Sequence, residues 1–555
     1  MPDSPYLIAA PLASGRFSGW GSLVGASASL AVAELARQAE VPLLLLADDP
    51  RHADQLEAEL RFFAGGDFPV LHFVEWETLP WDSFSPHQDI ISQRLSVLSQ
   101  LPSMQRGVTV VSAPALLQRL PPVDYVAARS LSLQTGQQLS HDEFTQSLAA
   151  AGYLRVPQVS EHGEFAVRGS LIDVYPMGSA QPVRIDFFDD EIESLRHFSA
   201  ESQLSGDTME SIELLPAREV PLDDDAIRAF RSRYRERFEG QPSRSRVYRD
   251  ISDGIAHGGI EYYLPLFFEQ TAGLADYLPG HCVEIPPEGH HGLMEINTAE
   301  LEERHELCNL DPERPVLSPG ETFAAIDAVT ARLDRYRGIR YSAQSLAEAP
   351  DVCNLPTRMP PALKIEARYE DPAGALMQFL ESFEGRVLFT TDSAGRREQV
   401  YELLSGRGLD LVRAAGWLDF AAGRHRIGVA IAPLENGVLL PDARIAIISE
   451  QQLFGDRVRT QRRRRRADRD PEAIIRQLDD LEEGSPVVHA EYGVGRYIGL
   501  ITLDVGGIEG EFLHLEYADG DKLYVPVHAL ELISRYTGTS PENAPLHRLG
   551  SDQWE

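Results

Sequence analysis

The chain has 555 residues, of which 43% are apolar and 25% charged. This composition is typical of globular proteins, and the length predicts about three to five domains. The formal net charge of −34 argues against a protein that holds duplex DNA with its whole surface, because phosphate binding needs a broad basic field.

The cysteines Cys282, Cys308 and Cys353 have no C-x-x-C spacing, so neither a disulfide framework nor a zinc site is predicted. The N-terminus lacks the basic region of a signal peptide, and no stretch approaches about 18 uninterrupted apolar residues. We therefore expect a cytoplasmic protein with no membrane partner. The final residues, SDQWE, carry neither a helix stop nor a polar tail, so we expect a truncated chain.

Apolar runs alternate with amphipathic stretches over residues 1–130. The apolar runs fall at 22–24, 42–47 and 108–112, and helical periodicity follows at 30–40, 53–63 and 114–120. Strands that alternate with helices indicate a parallel sheet. We predict the first part of an α/β domain here, ending near residue 130.

From residue 165 to 198 the pattern changes to strict alternation of apolar and polar residues. Such alternation is typical of a half-exposed antiparallel sheet, and we predict an inserted α+β domain over 131–215. Mixed helix and strand patterns return over 216–345, including the apolar run at 260–268. This segment is predicted to rejoin the first domain as its second part.

A Pro-rich break at 355–361 precedes a small α/β domain predicted over 350–455, with strands at 387–391 and 445–448 and a helix at 396–404. An arginine-rich linker helix is predicted over 456–484. The tail at 485–550 has turn signals at Gly506-Gly507 and Asp519-Gly520, which indicate short hairpins. We predict a small SH3/Tudor-like β-barrel, ending in a helix at 528–536.

The glycine-bearing stretch GWGSLVGASAS at 19–29 is the nearest match to a nucleotide-binding P-loop. A P-loop requires a lysine after its last glycine, to neutralise the β and γ phosphates. No lysine occurs before Lys364. We predict a degenerate loop, including Gly25 and Ser29, that does not bind nucleotide; weak phosphate binding at the following helix N-terminus is the alternative.

Side chains with catalytic or metal-binding chemistry form no recognisable motif. His290, His291 and His305 lie among glutamates but do not form H-E-x-x-H, and we interpret them as surface residues. Cys308 has no paired base, so burial is its simpler explanation. No serine nucleophile elbow is present. We therefore predict no catalytic residue and no metal site.

An arginine run at 462–466, flanked by further arginines over 457–469, is the most basic segment of the chain. It could bind phosphates. Its position between two predicted domains favours a solvated linker helix that pairs with neighbouring acids.

The predicted sheet face with Arg168, Arg184 and Phe188 combines exposed basic and aromatic side chains. Residues 184 and 188 share a face because side chains on a strand alternate. Arginine and aromatic residues are common anchors of protein interfaces. The simpler interpretation is a surface sheet in which the arginines pair with Asp186 or Glu193.

The tail segment RYIGLITLD at 496–504 is apolar on both faces of its predicted strand. Tyr497, Ile501 and Leu503 are predicted to share one face, with Ile498 and Leu500 on the other. Two apolar faces favour burial against a partner or strand addition at a sheet edge. Ordinary core packing is the alternative.

Several long segments of the sequence resemble one protein family across the whole chain. They occur in the same order, so the resemblance does not depend on a single short motif. The segments are WETLPWDSFSPHQD at 76–89, EHGEFAVRGSLID at 161–173, RIDFFDDEI at 184–192, GIEYY at 259–263, EQQLFG at 450–455 and HAEYGVGRY at 489–497. The chain resembles the N-terminal half of the transcription-repair coupling factors.

The resemblance implies an excinuclease B-like α/β module, without a working nucleotide site, whose inserted domain binds the excinuclease A subunit. Arg168, Arg184 and Phe188 match the residues of that contact. It also implies that the tail domain binds the RNA polymerase β subunit, with Arg496, Ile501 and Leu503 in the matching strand. ATP and Mg²⁺, and most DNA contacts, would belong to translocase domains beyond Glu555.

Three functions follow from these features. The leading hypothesis is a non-catalytic, monomeric adaptor that joins stalled RNA polymerase to excinuclease A in transcription-coupled nucleotide-excision repair. The second is an ATP-dependent helicase of the excinuclease B kind, which the absent P-loop lysine argues against. The third is a nucleic-acid-binding module that acts through residues 457–469, and steep salt dependence would identify it.

Overall fold

A computed structural model gives the fold of the chain. It describes residues 17–238, 242–311, 313–365, 373–455, 484–489, 492–505, 508–526, 533–535 and 544–548.

The N-terminal segment forms four parallel strands separated by helices. Strands β2 and β4 are buried along their whole length, as expected where helices cover both faces of a sheet. Helix α2 begins after the capping residue Asp49 and ends at Gly65, which has a positive φ. The elements are β1 Phe17–Gly21, α1 Ser27–Gln38, β2 Pro42–Ala47, α2 Pro50–Ala64, β3 Val70–Phe73, α3 Gln88–Gln100, β4 Gly107–Ser112, α4 Ala113–Leu117 and α5 Val123–Arg129.

The next segment forms a six-stranded sheet in the order β11-β10-β9-β8-β7-β6 and a two-stranded sheet of β5 and β12. Strands β7 to β11 pair antiparallel, which confirms the predicted antiparallel sheet over 165–198. The elements are β5 Leu131–Gln134, α6 His141–Ala150, β6 Leu154–Arg155, β7 Glu164–Arg168, β8 Leu171–Val174, β9 Val183–Phe188, β10 Glu191–Phe198, β11 Ser205–Met209 and β12 Ser211–Leu214.

The chain then adds three strands to the first sheet. The completed sheet has seven parallel strands in the order β15-β1-β14-β13-β2-β4-β3. A buried 3₁₀ helix at Ile260–Leu266 holds most of the predicted apolar run. The elements are α7 Asp224–Arg237, α8 Arg246–Ser252, α9 Leu274–Tyr277, β13 Val283–Ile285, α10 His290–Cys308, α11 Pro319–Thr322, α12 Ile326–Leu333, β14 Arg337–Tyr341 and β15 Val352–Asn354, with short 3₁₀ helices at Leu101–Ser103 and Pro242–Arg244.

A second α/β unit follows, with strand order β17-β18-β16-β20-β19. Its pairs are parallel except for β19 with β20. Buried residues of this unit and of the seven-stranded sheet form one continuous core, in which Trp417 packs edge-on against Phe63. The elements are α13 Gly374–Ser382, β16 Arg386–Thr391, α14 Ala394–Ser405, β17 Leu411–Arg413, α15 Trp417–Ala422, β18 Ile427–Ile431, β19 Val438–Leu440, β20 Ile445–Ser449 and α16 Glu450–Phe454.

The last described unit is an antiparallel five-stranded sheet in the order β24-β23-β22-β21-β25. Its core is small and includes Val487, Leu513 and Leu515. The strands are β21 Pro486–His489, β22 Gly493–Val505, β23 Ile508–Glu516, β24 Lys522–Pro526 and β25 Ile533–Arg535, with a 3₁₀ helix at Ala518–Gly520 between β23 and β24.

The structure corrects two predicted elements. Residues 22–24 are not a strand, since β1 lies just before them at Phe17–Gly21 and they form the turn into α1. The helix predicted at 528–536 is wrong at residues 533–535, which pair with β21 as the strand β25. A short apolar run is compatible with a helix or a strand, and here the residues form a strand because they pair with β21.

Other predictions fall partly or wholly outside the described residues. The arginine-rich helix at 456–484, the glycine turn at 506–507 and the rest of the helix at 528–536 lie there. Pairing between β24 and β25, which would close a barrel, does not occur among the described residues. No helix of the described ranges is long and apolar enough to span a membrane.

Candidate partner-binding surfaces

Strand β9 separates a core face from an outer face. Val183, Ile185 and Phe187 are buried, whereas Phe188 is 69% exposed. Arg184 points to the outer face with Phe188, as alternation along a strand requires. The structure therefore exposes a large aromatic side chain at the end of a well-packed strand.

Arg184 is held by an ion pair on this outer face. Its Nε donates to Asp173 Oδ1 at 2.7 Å and its Nη2 to Oδ2 at 3.0 Å. The guanidinium also lies over the ring of Phe198, 4.9 Å from its centre. The hydrogen bond to Asp173 raises the pKa of Arg184. The pairing of Arg184 with Asp186 or Glu193 considered from sequence is wrong, because Asp173 is directly opposite Arg184 in register.

Arg168 and Phe188 lie at the same end of the sheet. Arg168 is opposite Leu171, and Leu171 is opposite Asp186 on β9. Arg168 is exposed and donates from Nη2 to the carbonyl of Pro157 at 3.1 Å. Arg184 lies further along the same face. We call this surface, formed by Arg168, Leu171, Arg184, Phe188 and Arg196, the basic-aromatic face.

Two residues that lie opposite Arg184 were not predicted from sequence as part of this surface. Asp173 lies within an otherwise apolar strand, and its side chain is 1% exposed. An acidic residue in an apolar strand, close in sequence to a strand that contains an arginine, was the sequence feature that could have indicated this ion pair. Arg196 is exposed and lies opposite Arg184 in the β9–β10 register. A register shift between Ile192 and Ser194 changes which residues of β10 face outward, so simple alternation could not place Arg196.

Strand β22 offers a second candidate surface. Its first residues pair with β21, from Gly493 to Arg496, and its later residues pair with β23 as far as Val505. Within the described residues, β22 pairs only with β23 beyond Tyr497. One side of its backbone is therefore an unpaired edge, which can accept a strand from a partner.

A bulge at Gly499 corrects the predicted faces of β22. The register shifts between Tyr497, opposite Leu515, and Gly499, opposite His514. Leu500 is therefore opposite the buried Leu513, and Ile501 is on the other face. The prediction that Tyr497 and Ile501 share a face is wrong, because the extra residue inverts the alternation.

The predicted polymerase-contact residues lie along β22. Arg496 is half-buried and donates from Nη1 to the carbonyl of Gly484 at 2.6 Å. Ile501 is 37% exposed and Leu500 is 61% exposed. Leu503 is opposite Gly510 in register, and its side chain lies outside the described set.

The glycine-bearing loop after β1 is filled by the protein itself. Gly25 has a φ of +56°, and a Cβ there would lie 2.1 Å from the carbonyl oxygen of Gly437. The backbone N–H of Val24 donates to Thr357 Oγ1 at 3.2 Å. One backbone donor of this loop is therefore engaged by Thr357, and the space beside Gly25 is filled by Gly437 of the second α/β unit.

Ser29 forms a buried hydrogen bond below this loop. Its hydroxyl donates to Glu59 Oε2 at 2.6 Å, and Gln55 donates to Oε1 at 2.9 Å. Burial raises the pKa of Glu59 to about 7. The hydroxyl of Ser29 therefore has a structural partner within the protein.

The histidines singled out from sequence do not come together. His290 and His291 begin α10, and His291 pairs with Glu295 at 3.4 Å. His305 packs edge-on against Trp81. Among the described residues, only Asp54, Glu57 and His72 bring three ligand-type atoms within 4.8 Å. There His72 already pairs with Glu57 at 2.9 Å.

Three family models match the chain. The UvrB interaction domain matches residues 131–220, the MFD, D3 domain matches 379–453, and the CarD-like/TRCF RID domain matches 481–537. The first match covers the basic-aromatic face, and the last covers β22. The two candidate surfaces therefore lie in different matched domains.

The similarity to known proteins extends over the whole chain. It is 42% identical over 555 residues to the transcription-repair-coupling factor of Escherichia coli, covering 100% of this chain and 48% of that protein. The Haemophilus influenzae protein of that name is 41% identical over 96% of this chain and 46% of its own length. The Myxococcus xanthus one is 30% identical over the same shares. The chain belongs to the transcription-repair-coupling factor family and spans about half the length of the curated relatives it matches.

Proposed function

We propose that this chain is a two-ended adaptor for transcription-coupled nucleotide-excision repair. One end, the basic-aromatic face, binds the excinuclease A subunit. The other end, the terminal sheet, binds the β subunit of RNA polymerase at the edge of β22. The proposal rests on one observation. The basic-aromatic face lies in the segment that matches the UvrB interaction domain, and the edge of β22 lies in the segment that matches the RID domain.

The basic-aromatic face has the features of an interface anchor. Phe188 is 69% exposed although the rest of its strand is packed, so a partner that covers it gains burial of a large ring. Arg168 is at the same end and has no carboxylate partner in the described part of the chain. Aromatic and arginine side chains dominate interface energetics when a partner excludes water from them.

The edge of β22 supports the second end. A partner strand paired there would satisfy the backbone groups beyond Tyr497, with Ile501 and Leu503 beside it. For this contact we propose that the terminal sheet closes into the SH3/Tudor-like barrel. The β subunit contributes its own strand edge in this arrangement.

We propose further that the chain alone is not an enzyme and takes no cofactor. In the loop with Gly25, the backbone N–H of Val24 is bound to Thr357 Oγ1 and the carbonyl of Gly437 fills the space beside Gly25, which argues against a cradle for phosphates. In the whole protein, ATP hydrolysis with Mg²⁺ and translocation on DNA would reside in other domains. The helicase alternative for residues 1–345 is not favoured.

The remaining expectations are part of the same proposal. The chain works as a monomer in the cytoplasm, near the nucleoid, and contacts DNA mainly through the other domains of the whole protein. Residues 457–469 lie outside the described ranges. A contact between these residues and DNA is tested by measuring how steeply DNA affinity falls as the salt concentration rises.

Separate titrations with the two partners test the proposal. The chain is titrated with the excinuclease A subunit and, independently, with the isolated polymerase β subunit, by calorimetry. We expect both partners to bind the chain in these separate titrations. Failure of either partner to bind contradicts the two-ended arrangement.

A further inference from the structure

A cavity of about 440 Å³ lies on the α/β body, away from both proposed interfaces. It is formed by the C-terminal half of α7, by the segment that follows the 3₁₀ helix Ile260–Leu266, and by residues near α11. Its volume falls in the range of small-molecule sites, roughly 300–1,000 Å³.

Two arginines line this cavity without a carboxylate partner in the described part of the chain. Arg119 donates to Thr271 Oγ1 at 3.2 Å and to the carbonyl of Gly320 at 2.9 Å, and its buried Nε has no acceptor there. Arg233 donates to the carbonyl of Leu266 at 3.1 Å. Acidic residues outnumber basic ones, 85 to 51, so unpaired arginines in a concave site are unexpected.

A third arginine that lines the cavity does have a carboxylate partner. Arg237 pairs with Glu321 through two hydrogen bonds, and that pair neutralises both charges. Arg119 and Arg233 therefore form no ion pair among the described residues, and the glutamates that line the cavity with them are Glu236, Glu269 and Glu321. Burial, with a smaller contribution from Arg332, lowers the pKa of Arg119, and the negative charge of Glu321 opposes this shift in part. A bound anion would relieve this cost.

The other lining residues define what accompanies the anion. Leu266, Phe268 and Leu317 provide an apolar wall that suits a ring or short hydrocarbon. Glu236 and Glu269 are exposed and can accept hydrogen bonds from hydroxyl or amino groups. Arg119, Arg233 and Thr271 all line the cavity, and guanidinium and hydroxyl groups donate the hydrogen bonds that a phosphate dianion accepts.

We propose that this cavity binds a small phosphate monoester of the nucleoside monophosphate kind, with its phosphate between Arg119 and Arg233. The site is separate from the glycine-bearing loop after β1. It also goes beyond the adaptor function, since a small ligand here would stabilise the contact between α7 and the α/β body.

Calorimetry of the full chain with AMP at pH 8 tests the site, because the phosphate is then a dianion. Adenosine, which lacks the phosphate, is the ligand control. Arg233→Gln should weaken AMP binding about tenfold or more through loss of a charge-assisted hydrogen bond. Arg228→Gln is the matched protein control, because Arg228 is on the same helix but is exposed and pairs with Asp225.

Saturable AMP binding that is weakened by Arg233→Gln and unchanged by Arg228→Gln supports the proposal. Thr271→Val keeps all charges and should also weaken AMP binding. It provides a second test in case Arg233→Gln misfolds. A ten-nucleotide single-stranded DNA tests whether the cavity binds the backbone phosphates of a nucleic acid instead of a free phosphate monoester. Equal binding of adenosine, binding of the DNA but not AMP, or no binding of AMP overturns the proposal.

Discussion

Arg184 and Asp173 form a two-pronged ion pair on the outer face of the six-stranded sheet, with N–O distances of 2.7 and 3.0 Å. The carboxylate is 1% exposed, whereas the guanidinium is 18% exposed. Arg184 therefore both carries charge at the surface and neutralises a buried acid. A partner that binds near Arg184 meets a guanidinium whose orientation is already fixed.

We expect Arg184→Ala to destabilise the inserted unit by about 2–3 kcal/mol, because it leaves a buried carboxylate without its partner. Expressed as a thermal midpoint, each kcal/mol corresponds to about 2–4 °C in a domain of 150–250 residues and more in a smaller one. Combining Arg184→Ala with Asp173→Asn should recover part of the loss. If Arg184→Ala unfolds at the parent midpoint, the ion pair does not stabilise the fold.

Phe188→Ala separates binding from stability more cleanly. The ring is 69% exposed and contributes little to the core. Loss of an aromatic anchor commonly costs about 2 kcal/mol or more, so affinity for the excinuclease A subunit should fall about thirtyfold, with the melting temperature unchanged.

Leu204→Ala is the matched control for Phe188→Ala. Leu204 is 71% exposed and lies near the turn between β10 and β11, at the other end of β10 from Phe188. We expect calorimetry to show parental affinity for this variant. Equal loss of affinity in both variants, or none in Phe188→Ala, would reject the assignment of the basic-aromatic face.

Sequence alternation was sufficient to place β9 and its two faces, because buried and outward residues alternate there without interruption. It failed where the backbone departs from regular pairing. The bulge at Gly499 inverts the order of side chains in β22, and the shift after Ile192 does the same in β10. Neither irregularity leaves a periodic signal in the sequence.

Contacts between distant segments were also beyond the reach of sequence patterns. The absence of a lysine predicted a degenerate loop after β1, but not that Thr357, which follows β15, and Gly437 of the second α/β unit would contact it. The pairing of Arg184 with Asp173 depends on the register between β8 and β9. Register follows from packing and turn geometry together, which composition alone does not determine.

Leu503→Arg should abolish binding to the polymerase β subunit and leave excinuclease A binding intact. A charge introduced beside a strand-addition edge is desolvated without a partner. Leu500→Arg is the control, because Leu500 is opposite Leu513 and on the other face of β22.

Circular dichroism of each variant distinguishes an interface residue from a core residue. A folded Leu503→Arg chain that no longer binds the β subunit supports the interface. Unfolding of the terminal sheet in that variant would return Leu503 to ordinary core packing. Loss of β-subunit binding in Leu500→Arg as well would show that the effect is not specific to one face.

The chain should show no ATP hydrolysis above background, with or without DNA. The loop at Gly25 lacks a lysine, and the carbonyl of Gly437 lies where a side chain or phosphate would need space. A coupled hydrolysis assay measures this directly. DNA-stimulated turnover, or nucleotide density at Gly25 in a crystal soaked with ATP, would contradict the prediction.

Glu59 should make the stability of the α/β body depend on pH. Burial raises the pKa of its carboxyl from 4.5 to about 7. Between these values the folded chain holds a proton that the unfolded chain releases, so the free energy of unfolding falls as pH rises from about 4.5 to about 7. Above pH 7 the full cost of a buried charge remains.

Glu59→Gln removes that cost, because the amide stays neutral and can still accept a hydrogen bond from Ser29, while the second acceptor oxygen, which serves Gln55, is lost. The variant should be more stable than the parent by about 1–3 kcal/mol at pH 8, and the difference should shrink toward pH 5. Glu57→Gln, on the same helix, should show the opposite sign, since the pKa of Glu57 is lowered by its hydrogen bond to His72. Thermal unfolding at the two pH values measures both variants. A Glu59→Gln chain that is less stable than the parent at pH 8 would show that the carboxylate is charged there and stabilises the loop.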